Sequence, residues 1–186
     1  MRFSLAGLFF LAIVALPSPA QRQRFGDPQS LAPYIPSPQV VVEKMLEAGR
    51  VRPGDVVYDL GAGDGRIVIT AAQKFGARAV GVELSEELFR SATARIQAMG
   101  LENRVRMIHA NLLDVDLSEA SVVTIYLLTS SNLKLKPNLE KYLKPGARVV
   151  SNDFEIRGWN PAQTVKIKAD GATHTIYVYD IGPPKK

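Results

Sequence analysis

Carboxylates and closely spaced glycines occur together in the run DVVYDLGAGDGR, which begins at Asp55. A short β-rich stretch ends at Asp59, and a glycine follows at every second position before a helical pattern opens at Arg66. The glycines are Gly61, Gly63 and Gly65. Glycine lets the backbone turn sharply and approach a ligand with no Cβ in between. A strand that leads into such a loop at a helix N-terminus is typical of α/β proteins that bind nucleotide-like ligands.

The spacing of the glycines argues against a dinucleotide. A dinucleotide fingerprint needs a further glycine at position 66, where this chain has Arg66. Asp59 and Asp64 would also repel a pyrophosphate at this distance, whereas they would attract a ligand that carries an ammonium and a sulfonium. S-adenosylmethionine (SAM) is such a ligand. The pattern therefore favours SAM over NAD, and the alternative is a glycine-rich turn without a ligand.

A second acidic residue ends the next predicted strand, 79–84. Glu83 lies 24 positions after Asp59, where a carboxylate binds the ribose hydroxyls of an adenosine. Both of its oxygens accept hydrogen bonds, so it suits a diol better than a phosphate. The alternative is a surface charge at a strand end. Asn111, after the third predicted strand, could hydrogen-bond the adenine edge through its amide.

Composition bounds the class of protein. With 186 residues, 46% hydrophobic and 22% charged, the chain has the size and composition of one globular α/β domain. It has no cysteine, which excludes disulfides, thiolate metal sites and cysteine nucleophiles. With only two histidines we expect no metal site. A net charge of +5 fits an ordinary solvated surface, and we expect no nucleic-acid partner.

The first twenty residues have the composition of a secretory signal peptide. Arg2 precedes an apolar stretch, 3–16, that is short for a membrane span, and small residues follow at a cleavage site before Gln21. We expect export to the periplasm and a mature chain without a membrane span. The alternatives are an uncleaved inner-membrane anchor, or a cytoplasmic protein whose true start lies downstream. Residues 21–32 are predicted to be a flexible spacer, and 183–186 a tail.

The intervening residues, 33–182, are predicted to form one domain in which strands alternate with helices. Ser37 is expected to cap the first helix with Pro38 at its first position, and Pro137 to split or kink the fourth. A hairpin closes the chain. This order predicts a Rossmann-like, doubly wound, mostly parallel seven-stranded sheet with an antiparallel C-terminal hairpin strand. The predicted strands are 56–60, 79–84, 105–109, 121–127, 148–152, 164–169 and 173–181.

Over residues 33–179 the chain resembles the class I SAM-dependent methyltransferases. The segments PYIPSP (33–38), YLLT (126–129) and SNDFEI (151–156) further resemble the small archaeal protein-lysine methyltransferases and their mitochondrial relatives. An exported N-terminus departs from the cytosolic archaeal pattern. The absence of an Asn/Asp-Pro-Pro-Tyr motif at the fourth strand argues against adenine-N6 or glutamine methylation.

The resemblance implies roles for individual residues. Asp59 and the glycine loop would hold the methionine part of SAM, Glu83 the ribose and Asn111 the adenine. The loop residues concerned are Gly61, Ala62, Gly63 and Gly65. The catalytic residues Tyr34, Tyr126 and Asp153 would lie near the methyl acceptor, for which a protein lysine ε-amine is the first expectation. The alternatives are a small-molecule methyltransferase and a non-catalytic sensor of SAM or a related adenosine.

Overall fold

A computed structural model describes residues 31–183, so the predicted signal peptide, most of the spacer and the end of the tail lie outside the described residues. The helices are Gln39–Ala48 (α1), Arg66–Phe75 (α2), Glu86–Ala98 (α3) and Thr129–Tyr142 (α4), with a 3-10 helix at Leu112–Asp114. The strands are Val56–Leu60 (β1), Arg78–Glu83 (β2), Val105–His109 (β3), Val122–Ile125 (β4), Arg148–Asn152 (β5), Gln163–Ala169 (β6) and Ala172–Asp180 (β7).

The seven strands form one sheet in the order β3-β2-β1-β4-β5-β7-β6. The first five are parallel, and β7 runs antiparallel to both β5 and β6. The predicted fold class is therefore confirmed, hairpin included. Strand order reverses between β1 and β4, and the carboxyl ends beside such a switch point are where ligands bind in open α/β sheets.

Both faces of the sheet are covered. On one face the apolar residues of α1 and α2, with Ile96 of α3, pack against side chains such as Val57 and Val150. On the other face Leu135 and Leu139 of α4 pack against Tyr58 and its neighbours. Burial on two faces explains why successive residues of β1, β4 and β5 are buried almost without a break, rather than in an alternating pattern.

The start of α1 differs from the prediction. The helix begins at Gln39, Pro38 occupies the capping position, and no side chain caps it, so the expected Ser37 cap is wrong. Ser37 is instead buried, and its carbonyl accepts a hydrogen bond from Arg66. The chain through Pro38 stays extended, with ψ at 144°, because it must first cross the glycine loop.

Pro137 does not divide α4. The helix runs unbroken from Thr129 to Tyr142 with the proline in its interior, so the two-segment alternative is wrong. Fully buried residues on either side of the proline, Leu135 and Leu139, pack on the same core. Tertiary packing thus outweighs the loss of one backbone hydrogen bond. Within residues 31–183 no helix is both long and apolar enough to cross a membrane.

Candidate active site

The glycine loop joins β1 to α2 in the conformation that its sequence requires. Gly61, Gly63 and Gly65 have φ angles of 87°, 54° and 76°, a region that other residues seldom adopt. The N–H groups of Gly61 and Ala62 both donate to the Val82 carbonyl at 2.9 Å. The loop is therefore tied to β2 at the carboxyl edge of the sheet, and its glycines leave main-chain groups with no Cβ beside them.

Glu83 connects this loop to the start of α3. Its Oε2 accepts a hydrogen bond from the Gly63 N–H at 2.7 Å, and its Oε1 accepts one from the Ser85 N–H at 2.8 Å. The side chain is buried. Each carboxylate oxygen can accept more than one hydrogen bond, so both keep capacity for a diol. This is the place predicted for a ribose, and the ribose role itself stays a prediction.

Asp59 ends β1 in an almost dry environment, with 2% of the residue exposed. The Thr124 hydroxyl donates to its Oδ1 at 2.7 Å. Burial raises the pKa of Asp59 to about 7, helped by the negative charges of Glu83 and Asp64 and opposed by the Thr124 hydrogen bond. A cationic ligand beside Asp59 would offset the unfavourable burial of its charge, because a nearby opposite charge favours the ionised carboxyl.

Asp64 does not act as a free charge in the loop. Arg66 donates to both of its oxygens, from Nε at 2.9 Å and from Nη2 at 2.8 Å. Burial raises the pKa of Asp64, but the hydrogen bonds and charge of Arg66 outweigh it and leave the pKa below its usual value. The electrostatic argument against a pyrophosphate therefore depends on Asp59 and Glu83, not on Asp64.

The segment 33–38 crosses the glycine loop as a strap. The Tyr34 ring packs on Gly63 so closely that a Cβ there would lie 2.5 Å from Tyr34 Cε2. Tyr34 is half-exposed, and burial together with the charge of Asp64 raises the pKa of its hydroxyl. Tyr34 thus lies directly over the loop, and its predicted part in acceptor binding stays a prediction.

Tyr126 and Asp153 follow β4 and β5, and the Asp153 carboxylate lies close enough to the Tyr126 hydroxyl to act on its pKa. Burial raises the pKa of Tyr126, and the Asp153 carboxylate raises it further, so the hydroxyl keeps its proton and can donate a hydrogen bond. The Tyr126 and Phe154 rings have centroids 6.2 Å apart. Together with Pro33, Ile35 and nearby apolar groups they line a groove of about 70 Å³. An anionic group therefore lies beside an apolar groove.

Asn111 follows β3, and its side chain is already used locally. Its Oδ1 accepts a hydrogen bond from the Leu113 N–H at 3.0 Å and so starts the 3-10 helix. The adenine contact stays a prediction. Nearby, His109 stacks on Phe89 and contacts the Leu84 carbonyl through Nε2. His109 is thus a histidine at the edge of the sheet with its contacts satisfied.

One buried side chain at this edge has no polar partner among the described residues. The amide of Asn152 is fully buried, with neither its nitrogen nor its oxygen hydrogen-bonded. Asp59 pairs with Thr124 and Thr124 with Val150, so alternation places Asn152 on the same sheet face as both polar residues. An orphaned amide, two carboxylates and a bare main chain suit a polar cation. The residues present therefore fit SAM.

Comparison with known proteins decides the family. Residues 59–163, from the end of β1 to the start of β6, match the family model described as the ANTKMT methyltransferase domain. The chain belongs to this family. It is a class I SAM-dependent methyltransferase, as the fold and the crevice between Asp59 and Glu83 indicate.

Relatives of this methyltransferase bear similar names. It is 53% identical over 154 residues to a protein-lysine N-methyltransferase of Saccharolobus islandicus, covering 82% of this chain and 96% of that one. It is 35% identical over 149 residues to the mouse adenine nucleotide translocase lysine N-methyltransferase, covering 80% of this chain but 63% of that one. The match thus spans nearly all of the archaeal relative and a smaller part of the mouse one.

A solved structure adds the ligand. The methyltransferase resembles a Salinibacter ruber protein described as an RNA methyltransferase in complex with S-adenosyl-L-homocysteine (SAH). The two are 43% identical, with a TM-score of 0.76, over 82% of this chain and 97% of that one. SAH is the product that SAM leaves after methyl transfer, which agrees with the fit of the crevice.

Sequence reasoning missed three residues of this methyltransferase's site. Arg66 was considered only as a missing glycine, yet it neutralises Asp64 and donates to the Ser37 carbonyl at 2.5 Å. Thr124, which holds Asp59, lies within an apolar run. His174 contacts Asp153 from β7. The contacts of Arg66 with Ser37, Thr124 with Asp59 and His174 with Asp153 span 29, 65 and 21 residues, so no local pattern reveals them.

Proposed function

We propose that this chain methylates lysine ε-amines of protein substrates with SAM as donor. The curated relatives named above are lysine N-methyltransferases, and the archaeal one matches this chain over nearly its whole length. The observation that carries the proposal is the Asp153 carboxylate, fixed by hydrogen bonds from His174 and Thr175 and lying beside Tyr126 of an apolar groove. An alkyl chain that ends in an amine matches both parts of that site.

The residues belong to two neighbouring sites, one for SAM and one for the methyl acceptor. SAM supplies a methyl group on a positively charged sulfur. Asp59, Glu83 and the glycine loop hold and balance that ligand, and the Tyr34 ring covers the loop. The acceptor site follows β4 and β5, and β4 pairs directly with β1. Holding two reactants side by side can lower a barrier by about 7–11 kcal/mol at best.

A lysine ammonium must lose a proton before its nitrogen can react. The apolar walls of the groove disfavour the charged form and lower the pKa of a bound lysine. Asp153 accepts a hydrogen bond from the amine and fixes its direction, and the neighbouring Tyr126 hydroxyl orients the amine with it. Phe154 and Tyr126 supply aromatic walls of the groove.

RNA methylation is the second candidate, because the Salinibacter protein described as an RNA methyltransferase is 43% identical over most of its length. The net charge of +5 is compatible with it. An RNA substrate would present a planar base rather than a flexible alkyl amine. The two candidates therefore predict label in different polymers.

The test uses the purified protein, trideuteromethyl-SAM, and a mixture of cellular protein and RNA. Mass spectrometry of digested protein and nucleosides then finds the label. The proposal expects trideuteromethyl-lysine. Label in nucleosides alone would establish the RNA candidate, and label in small metabolites alone a small-molecule methyltransferase. SAM binding with no label in any fraction would indicate a sensor.

A further inference from the structure

The Asp153 carboxylate is clamped from the side of β7. Asp153 follows β5 directly with a φ of 59°, a left-handed conformation that aspartate adopts more readily than most residues. Its N–H donates to the Thr175 carbonyl at 2.7 Å, and the Thr175 N–H donates to its Oδ1 at 2.8 Å. The backbone of β7 therefore fixes both the residue and one of its two oxygens.

His174 holds the second oxygen. Its Nδ1 lies 2.8 Å from Asp153 Oδ2, and both side chains are largely buried. An ionised carboxylate can only accept hydrogen bonds, so Nδ1 must carry the ring proton. In a neutral imidazole this assigns the Nδ1–H tautomer, with Nε2 bare.

The donors around Asp153 leave part of its capacity free. A carboxylate has about four acceptor sites. Thr175 and His174 each supply a donor, one to each oxygen, and the Tyr126 hydroxyl lies beside the carboxylate. The Tyr126 ring lines the apolar groove, so the open acceptor site and the groove belong to one region. Without His174, Oδ2 could turn toward other donors, and Tyr126 would lose its fixed partner.

We propose that His174 is a positioning residue of the acceptor site. Its Nδ1–H fixes the Asp153 carboxylate so that Asp153 and the Tyr126 hydroxyl together receive an alkyl amine or alkylammonium at the end of the groove. The inference rests on the proposed lysine acceptor, and it assigns His174 a role through Asp153 rather than a contact with the reacting atoms.

Three variants test the role. His174→Ala removes the donor, and His174→Asn places an amide N–H where Nδ1–H lies but cannot titrate. Thr173→Ala is the control, since Thr173 is exposed on the same strand and pairs with Lys168 rather than with the site. Binding of n-butylammonium to the SAH-saturated full chain, followed by NMR, is the readout, with calorimetry of SAH and thermal unfolding alongside.

We expect His174→Ala to weaken n-butylammonium binding by about tenfold, the effect of one charge-assisted hydrogen bond, with SAH affinity unchanged. His174→Asn and Thr173→Ala should bind the probe within about twofold of the wild type, the precision of a comparison between matched variants. Equal probe binding by the wild type and His174→Ala would overturn the role of His174 alone. A folded His174→Asn as weak as His174→Ala would also overturn it.

Two further outcomes separate this inference from the proposed function. The imidazole ¹⁵N spectrum of the wild type should show His174 as the Nδ1–H tautomer, and a bare Nδ1 would overturn the clamp whatever the acceptor is. A wild type that binds SAH but no n-butylammonium would overturn the amine acceptor, and the role of His174 with it.

Discussion

Asp59 and Asp153 are both carboxylates at the carboxyl edge of the sheet, but their surroundings differ. Asp59 is almost fully buried, and Thr124 is its side-chain donor. Asp153 is clamped by a backbone N–H and a histidine. A buried carboxylate with few donors suits a cationic ligand, and one with several fixed donors suits the orientation of an acceptor. The two residues therefore fit the cofactor side and the acceptor side.

The raised pKa of Asp59 predicts how the stability of the ligand-free protein depends on pH. Below about pH 4 the residue is protonated in both the folded and the unfolded state, and burial costs nothing. As pH rises from about 4 to 7 the unfolded state ionises first, so the fold loses stability, by at most about 4 kcal/mol at 1.36 kcal/mol per pKa unit. Above about pH 7 the loss is complete.

Asp59→Asn carries no charge and should escape this loss. Chemical unfolding at several pH values should show the variant gaining stability relative to the wild type between pH 4 and 7. Asp64→Asn is the control with the opposite sign, because burial is outweighed by Arg66 and the pKa of Asp64 is lowered. Its stability relative to the wild type should stay constant between pH 4 and 7 and rise only as pH falls below about 4. A stability difference between Asp59→Asn and the wild type that does not change with pH would contradict the burial of Asp59 as described.

Glu83→Ala should weaken SAM binding by about 10- to 100-fold, the range for losing hydrogen bonds to a charged group. The change removes the acceptor for a ribose and also releases the Gly63 N–H. Calorimetry measures the affinity. Glu86→Gln is the matched control, since Glu86 lies three residues on and pairs with Arg90 on the surface. Equal affinities of Glu83→Ala and the wild type would contradict the assignment.

At the scale of elements, the strap 33–38 and the glycine loop act as one unit. The Tyr34 ring rests on Gly63, Arg66 donates to the Ser37 carbonyl, and the Ser131 hydroxyl donates to the Leu31 carbonyl. These contacts join the strap to the loop and to α2, and they join the residues just before the strap to α4. A change that lifts Tyr34 should therefore loosen the cofactor crevice.

Gly63→Ala provides that change. Its Cβ would lie 2.5 Å from Tyr34 Cε2, so the ring must move, and we expect SAM affinity to fall by about tenfold or more. Gly100→Ala is the control, because Gly100 has a similar φ of 64° but no atom within 4 Å of the added Cβ. Because alanine is strained at a positive φ, Gly100→Ala should lower the free energy of unfolding by about 1 kcal/mol. Its SAM affinity should be unchanged. Equal losses of SAM affinity in both variants would contradict the role of Tyr34.

The sequence predicts those features that neighbouring residues determine, and not those that depend on contacts between distant residues. The glycine loop and Glu83 belong to one short motif, so residue types and their spacing are enough to predict where they lie. The start of α1 could not be predicted, because the strap must stay extended to cross a loop nearly thirty residues later in the sequence. The unbroken α4 likewise depends on how Leu135 and Leu139 pack against the sheet. His174 was missed because its partner Asp153 lies on another strand.

At the scale of the whole molecule, the two edges of the sheet differ in what they contain. The candidate active site lies at the carboxyl edge. At the amino edge Arg148 donates to both oxygens of Asp55 at 3.2 and 2.8 Å and to the carbonyls of Gly49 and Arg50. This buried ion pair joins β5, the residue before β1 and the end of α1. It fixes the packing of α1 far from the ligand crevice.

Arg148→Ala should therefore destabilise the protein without changing its ligands. Removing one partner of a buried ion pair leaves Asp55 uncompensated and costs about 3–5 kcal/mol. Chemical unfolding measures the loss, and calorimetry under native conditions should find SAM affinity unchanged. A loss of SAM affinity in the folded variant would show that the two edges are coupled, against this account.

The predicted signal peptide belongs to the part of the chain outside the described residues, and export stays a prediction. Mass spectrometry of the protein from its native cells should find a mature chain that begins at Gln21. An intact chain in the membrane fraction would establish the anchor instead. A cytoplasmic chain that begins downstream would contradict both.

The central claim is that the cofactor crevice and the acceptor site are separate but adjacent, and Asp153→Asn tests it most directly. SAM affinity and the rate of lysine methylation are measured on the same preparation, with SAM saturating in the rate assay. We predict SAM affinity within about twofold of the wild type. We also predict a methylation rate lower by about 100-fold or more, as expected for loss of the carboxylate that accepts a hydrogen bond from the amine and positions it. Wild-type methylation by Asp153→Asn would contradict the claim.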